Sequence, residues 1–268
     1  MKKTNHFYRF CALALSCLLL ISLLPVTQVL AEGDGAIHIK SAEDLRSLAH
    51  SCTLDSWSRG KTVVLDNDIE LTDNDELPIP TFGGTFNGNG HTISGLSITQ
   101  SVSPAGLFGV LQKDAVIKNL NVEGTVTPSG DSENIGGIVG ENHGTIESCT
   151  FNGSVSGKRS VGGIAGRNTA IGTVNYGYFN SEQEQRSGNS VVTPAKDIGT
   201  NVTMGSTGVV RNTAAMTGAE LRSETFRDLL NENQCEDHEL RSALQDGVTR
   251  YSIKLRADGS LTVGESGK

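Results

Sequence analysis

Three glycine-bracketed phrases constrain this chain more than any other feature: Gly106-Leu-Phe-Gly109, Gly137-Ile-Val-Gly140 and Gly163-Ile-Ala-Gly166. Each is followed by a phrase of fixed pattern: Ile117-Lys-Asn-Leu120-Asn-Val122, Ile146-Glu-Ser-Cys149-Thr-Phe151 and Val174-Asn-Tyr-Gly177-Tyr-Phe179. Ile93-Ser-Gly-Leu96-Ser-Ile98 reads as an earlier copy of the same phrase. The phrases step by 24, 29 and 28 residues, and the glycine brackets by 31 and 26. A unit this short cannot enclose a core alone. It becomes stable by stacking on its neighbours, so the repeat predicts a solenoid. Apolar side chains alternate with small polar ones, the period of a half-buried strand. The expected class is therefore all-β, a parallel β-helix with short helical caps. The glycine brackets are expected at its corners, with Leu107 and Phe108 pointing inward. Gly88-Asn-Gly90, Asn142-His-Gly144 and Asn168 are expected to supply the positive φ that tight corners need. Asn142 and Asn168 each follow a bracket by two residues, which would stack them into an amide ladder.

The chain ahead of the repeats divides in two. Lys2, Lys3 and Arg9 precede an apolar run, Phe10 to Leu24, then Pro25 and Val29-Leu-Ala31. This is the build of a secretory signal peptide over residues 1–31, too short for a membrane span of about 20 apolar residues. An uncleaved anchor is the alternative; Cys17 is a poor lipidation site because the apolar run continues past it. Residues 32–60 are expected to form an N-terminal helical cap, with Ser41 capping a helix that turns Leu45, Leu48 and Ala49 inward. The β-helix is assigned to 61–215, beginning with two short strands, Thr62–Leu65 and Ile69–Leu71, around a polar corner. Residues 216–268 are expected to hold a helix opened by a Thr217–Glu220 capping box, a second helix over 236–244, and a hairpin around Asp258-Gly259.

Charge excludes some partners. The chain has 22 basic and 30 acidic residues, and three of the basic ones lie in the leader. Such an acidic balance argues against nucleic acid and anionic membrane surfaces. Beyond the leader, Cys52, Cys149 and Cys235 fit neither a zinc site nor a disulfide framework. Cys149 takes the position of Leu96 and Leu120, so it is expected to be a small buried hydrophobe.

Ala42-Glu-Asp-Leu45, Gly60-Lys-Thr-Val63-Val-Leu65-Asp-Asn-Asp68-Ile-Glu-Leu71, Phe82-Gly-Gly-Thr-Phe86-Asn-Gly-Asn-Gly90-His-Thr-Ile93 and the first glycine bracket together resemble the GLUG-motif proteins. Val161-Gly-Gly-Ile-Ala-Gly166 and Met216-Thr-Gly-Ala-Glu-Leu221, with Phe226 and Leu229-Leu-Asn231, extend the resemblance over about residues 37 to 232. Those are secreted or surface proteins of bacteria, and the repeat also occurs beside immunoglobulin A peptidases. The resemblance implies a right-handed parallel β-helix serving as an extracellular module, with any protease in a separate domain. It carries over no catalytic residue, and the sequence has no Leu-Pro-x-Thr-Gly sorting signal.

Chemistry is sparse in the sequence. Asp66, Asp68, Asp73, Asp75 and Glu76 are the acids a polysaccharide-cleaving β-helix would draw on; their simpler reading is a solvated acidic loop. Asp114, Glu123, Asp131, Glu133, Glu141 and Glu147 do not recur in register. His91 and His143 read as exposed turn residues. No HExxH or phosphate-loop motif is present. Trp57, Tyr176, Tyr178 and Phe179 are the candidate aromatic platforms for sugar, with Tyr178 and Phe179 on opposite faces. Asn152-Gly-Ser154 and Asn201-Val-Thr203 fit a glycosylation acceptor. The expectation is a monomeric, secreted module for surface interaction or adhesion, with no catalytic site, metal or cofactor, whose partners are host or bacterial surface glycans or proteins. The alternatives are a polysaccharide lyase or hydrolase, and a spacer or truncated part of a larger surface protein.

Overall fold

The computed structural model describes residues 35–72, 77–204, 206–236, 251–255 and 261–265. Among the described residues it is a β-solenoid of about 6 turns with 2 short α-helices. Three parallel faces run along it. The first stacks Ile37–Ile39, Thr62–Leu65, Thr85–Asn87, Val116–Lys118, the start of Thr145–Gly157, the start of Thr173–Asn180, and Val209–Arg211. The second stacks Ile69–Glu70, Thr92–Ile98, Asn121–Val126, the later halves of the two long strands, and Ala214–Met216. The third stacks Ile79–Phe82, Phe108–Leu111, Val139–Asn142, Ala165–Asn168 and Ile198–Asn201. The ladder thus begins at Ile37, ahead of the first helix.

In-register pairing turns each apolar position into a column. On the first face Ile37, Val63, Phe86, Ile117, Ile146, Val174 and Val210 lie one above another. On the second, Ile69, Ile93, Val122, Phe151, Phe179 and Ala215 do the same. The interior members of both columns are buried and belong to one continuous core. Burial at roughly 25 cal/mol per Å² of apolar surface is what holds rung to rung. The lower rungs are wedged by three rings, with Phe108 5.5 Å from Phe82 and 5.2 Å from Phe86.

The structure corrects the repeat alignment. Ile93 pairs with Val122, and Ile98 with Val126, so the phrase at 93–98 lies on the second face. The partner of Ile117 is Phe86. A register shift between Ile93 and Leu96 is accommodated at Gly95, which has φ +75° and where a Cβ would clash with the Leu71 carbonyl.

The corners also differ from expectation. Within each repeated phrase one residue is left-handed: Asn119 (φ 52°), Ser148 (49°), Tyr176 (54°) and, in the last rung, Asn212 (54°). That residue turns the chain from the first face to the second. The phrase is therefore two strands joined by a bend. In the glycine brackets only the first glycine lies at a bend; Gly109, Gly140 and Gly166 sit inside strands and have ordinary φ. They are small because the neighbouring chain is close. A Cβ at Gly109 would lie 2.6 Å from the Pro80 carbonyl oxygen, and one at Gly140 2.5 Å from the Ala105 nitrogen. Asn142, His143, Gly144 and Asn168 likewise lack positive φ, whereas Asn89 and Gly90 have it.

Asn142 and Asn168 are fully buried and form the expected ladder, which continues one rung further. Asn142 Nδ2 donates to Asn168 Oδ1 (2.8 Å), and Asn168 Nδ2 donates to Asn201 Oδ1 (3.0 Å) and the Gly172 carbonyl (3.2 Å). Below Asn142 the same column holds Leu111 and Phe82. Buried amides persist only because each finds a partner in the next rung.

The first helix, Ala42–Ser51, is capped as expected: Ser41 Oγ accepts from the Asp44 amide, and Leu45, Leu48 and Ala49 are buried. At the other end the Thr217–Glu220 box forms, with Glu220 N donating to Thr217 Oγ1 and Thr217 N to Glu220 Oε2. It opens only a 3-10 turn, Glu220–Arg222. The helix proper is Glu224–Glu236, and the Ser223 hydroxyl caps it by accepting from Phe226 N. The expected helix at 236–244 lies almost wholly outside the described residues. The hairpin is present, pairing Tyr251–Leu255 with Leu261–Glu265.

Cys52 and Cys149 are buried free thiols. Cys149 donates to the Glu147 carbonyl at 3.1 Å, and burial pushes its pKa up to about 12; burial likewise takes Cys52 to about 11. The side chain of Cys235 lies outside the described residues.

Three outcomes are expected. Gly109→Val should cost about 1–3 kcal/mol by overpacking, read as a fall in thermal midpoint; an unchanged midpoint would refute the close approach to Pro80. Asn168→Asp should destabilise by about 1–3 kcal/mol or more, because a buried carboxylate would replace a donor and face a carbonyl. Asn201→Asp, at the exposed end of the ladder, should cost far less, and equal losses in urea melts would contradict the ladder. The thiols ionise first in the unfolded chain, near their ordinary value of 9.0, so stability should fall as pH rises from there toward 12. Cys149→Ala should flatten that alkaline slope, and an unaltered slope would assign it elsewhere.

A candidate lateral site

Most sequence candidates prove to be engaged in holding rungs together. His38 Nδ1 lies 2.8 Å from Asp66 Oδ1, and Lys40 Nζ 3.7 Å from Asp66 Oδ2. Asp68 Oδ1 accepts from the Thr92 amide (2.9 Å) and lies 3.2 Å from His91 Nδ1. His91 is buried, which corrects its reading as an exposed turn residue. Asp73, Asp75 and Glu76 lie outside the described residues. No group of three or more potential metal ligands occurs among the described residues.

The acids within the rungs also find partners one turn on. Lys158 Nζ lies 2.7 Å from Asp131, Arg159 Nη2 2.6 Å from Glu133, and Arg167 Nη1 3.3 Å from Glu141. Glu141 additionally takes the Asn134 amide and His143 Nε2, each at 3.0 Å. Asn152, in the first glycosylation-like triplet, donates to Glu123 and accepts from Asn180.

The aromatic candidates are mostly covered. Phe179 points into the solenoid core. Tyr178 points outward, yet is buried in a second cluster with Leu221, Phe226 and Leu230. Its ring meets Phe226 edge-on at 5.1 Å. The C-terminal helix therefore packs on a lateral face of the coil at Tyr178. Trp57 packs partly on the core, with Lys61 Nζ 5.1 Å from its ring centre.

The residues left over gather at the corner between the third and first faces. Corner length alternates there. Gly83-Gly84 and His143-Gly144 turn in two residues. Gln112-Lys-Asp-Ala115 and Thr169-Ala-Ile-Gly172 take four. Long corners on either side of a short one leave a notch, with His143 at its floor. The cavity has a volume of about 510 Å³ and is lined by Arg59, Val110, Gln112, Lys113, Asp114, His143 and Ile171. Rungs stand about 4.8 Å apart, so the two long corners are separated by about 10 Å.

The notch has a built edge. Arg59 Nε donates to Gln112 Oε1 (2.9 Å), and Gln112 Nε2 donates to the Asp55 carbonyl (3.0 Å). This pair lies over Gly83, where a Cβ would come 2.5 Å from Gln112 Oε1. Asp114 holds a left-handed backbone, φ 65°, at the tip of its corner. Ile171 is 55% exposed, one of the few large apolar side chains that face solvent. Sequence reasoning did not find this site. Its signal was present in the two sets of steps: the glycine brackets advance by 31 then 26 residues, the following phrases by 29 then 28. A two-residue difference that reverses sign is what a short corner between two long ones produces.

Residues 131–156 match the GLUG motif. Halomucin of Haloquadratum walsbyi is 43% identical over 93 residues, 34% of this chain and 1% of halomucin. A candidate Gly-rich membrane protein of Evansella cellulosilytica is 27% identical over 129 residues, 36% of this chain and 15% of that protein. The chain thus spans a small part of the length of the curated relatives it matches. A solved structure of a candidate immunoglobulin A1 protease from Bacteroides ovatus aligns over 85% of this chain and 91% of that one, at 12% identity and a TM-score of 0.31. The matched segment contains the middle glycine bracket and the long strand Thr145–Gly157 up to Ser156. This chain is a β-solenoid that carries the GLUG motif, placed at residues 131–156.

Proposed function

We propose that this chain is a non-catalytic interaction module displayed outside the cell, binding glycans or proteins of host or bacterial surfaces as a monomer and without a cofactor. The observation that carries the reading is the division of labour along the coil. Its repeated positions are consumed in stacking, while exposed charged and apolar groups collect where corner length varies. Solenoids of this kind work through extended lateral surfaces. The similarity to halomucin and to a Gly-rich membrane protein supports a place at the cell surface. The apolar leader at 1–31 supports export, and no helix among the described residues is long and apolar enough to cross a membrane. The engagement of Asp66 and Asp68 with His38 and His91 gives both carboxylates a structural role in this reading.

The test is retention of the purified chain on an array of surface glycans and matrix proteins. Saturable binding to at least one class is expected. Silence across the array would sink the proposal. Release of unsaturated or reducing-end products from an acidic polysaccharide, lost in Asp66→Ala or Asp68→Ala, would replace it with a cleavage activity.

A further inference from the structure

We infer that the notch above His143 is a binding site for an anionic saccharide, one bearing a carboxylate or sulfate; this rests on the surface-module reading and names its ligand. Four features point there. First, the notch concentrates cations on an acidic protein of net charge −8. Arg59 and Lys113 both line it, and neither has an ion-pair partner among the described residues. Asp114 is the one carboxylate in the lining.

Second, Arg59 is held in place. Its Nε is spent on Gln112, itself anchored to the Asp55 carbonyl, which leaves the outer edge of the guanidinium for two oxygens of a carboxylate or sulfate. Third, the remaining lining suits a sugar ring. With His143 Nε2 on Glu141 and the Gln112 amide on Arg59 and Asp55, His143 Nδ1 and the second amide hydrogen of Gln112 are the groups offered to hydroxyls, and Val110 and Ile171 offer aliphatic surface for a C–H face. An opening of about 10 Å between the long corners accepts one ring at a time. Fourth, the site disfavours an acidic peptide strand. Adding a strand requires an unpaired sheet edge, and here the strands that run into the corners are bonded to rungs above and below.

The experiment is calorimetric titration of the full chain with a uronic-acid oligosaccharide, a sulfated oligosaccharide, a neutral oligosaccharide of equal length, and an acidic peptide. The expected result is binding of at least one anionic saccharide, at least tenfold tighter than the neutral one. An Arg59→Ala/Lys113→Ala double variant should weaken that binding at least tenfold and leave the thermal midpoint unchanged. Ile171→Asp, remote in sequence from both, should weaken it independently. Equal affinity for neutral and anionic sugars, preference for the peptide, or full binding by the double variant would overturn the proposal. If the array of the preceding section shows binding that both variants retain, the notch assignment fails while the surface-module reading stands. If the unaltered chain binds nothing on the array or in the titration, both fail.

Discussion

The structure depends on one constraint: each rung must lie in parallel register on the next. Once the backbone N–H and C=O groups of a strand are bonded to the turns above and below, every side chain meets its own counterpart. Ile117 meets Phe86 and Ile146; Asn168 meets Asn142 and Asn201. Like on like is favourable for aliphatic groups and for amides, which can donate upward and accept downward. It is unfavourable for charges, and the chain avoids it. Glu133 meets Arg159 and Glu141 meets Arg167. Such exposed pairs are worth only about 0.2–1 kcal/mol each. Their larger effect is on alignment, because a slipped register would separate Glu133 from Arg159 and Glu141 from Arg167.

Where the core ends, the same logic decides what covers it. Tyr178 projects from a strand whose next residue, Phe179, faces inward. An outward aromatic on a lateral face would be an exposed apolar patch, and the helix Glu224–Glu236 covers it through Phe226 and Leu230. The ring that reads in the sequence as a platform for sugar is thus a docking surface for the protein's own C-terminal segment.

Much of this was legible in the sequence, and the failures have physical causes. The solenoid, the inward Leu107 and Phe108, the Ser41 cap and the start of the amide ladder all follow from local pattern. The register of Ile93 does not. Its phrase shares the apolar pattern of Ile117–Val122, but it pairs on the second face with Ile69 and Val122, and a bulge at Gly95 follows. Pattern also misjudged the second glycine of each bracket, because close approach of Pro80 or Ala105 is a tertiary fact. Asn201 looked like a glycosylation acceptor since only stacking reveals that it terminates the ladder. The notch escaped because it is built from a mismatch in loop length between neighbouring turns, and the cations around it come from segments as distant as Arg59 and Lys113.

The alternating corners bear on how such a chain can change. A single residue inserted into a strand would throw every later side chain of that strand to the opposite face. Two residues inserted at the corner after Asn142 would leave both flanking strands paired as they are, and would simply fill the gap above His143. The coil is therefore intolerant along its faces and permissive at its edges. New relief can be carved by lengthening or trimming a turn, with the stack beneath it undisturbed.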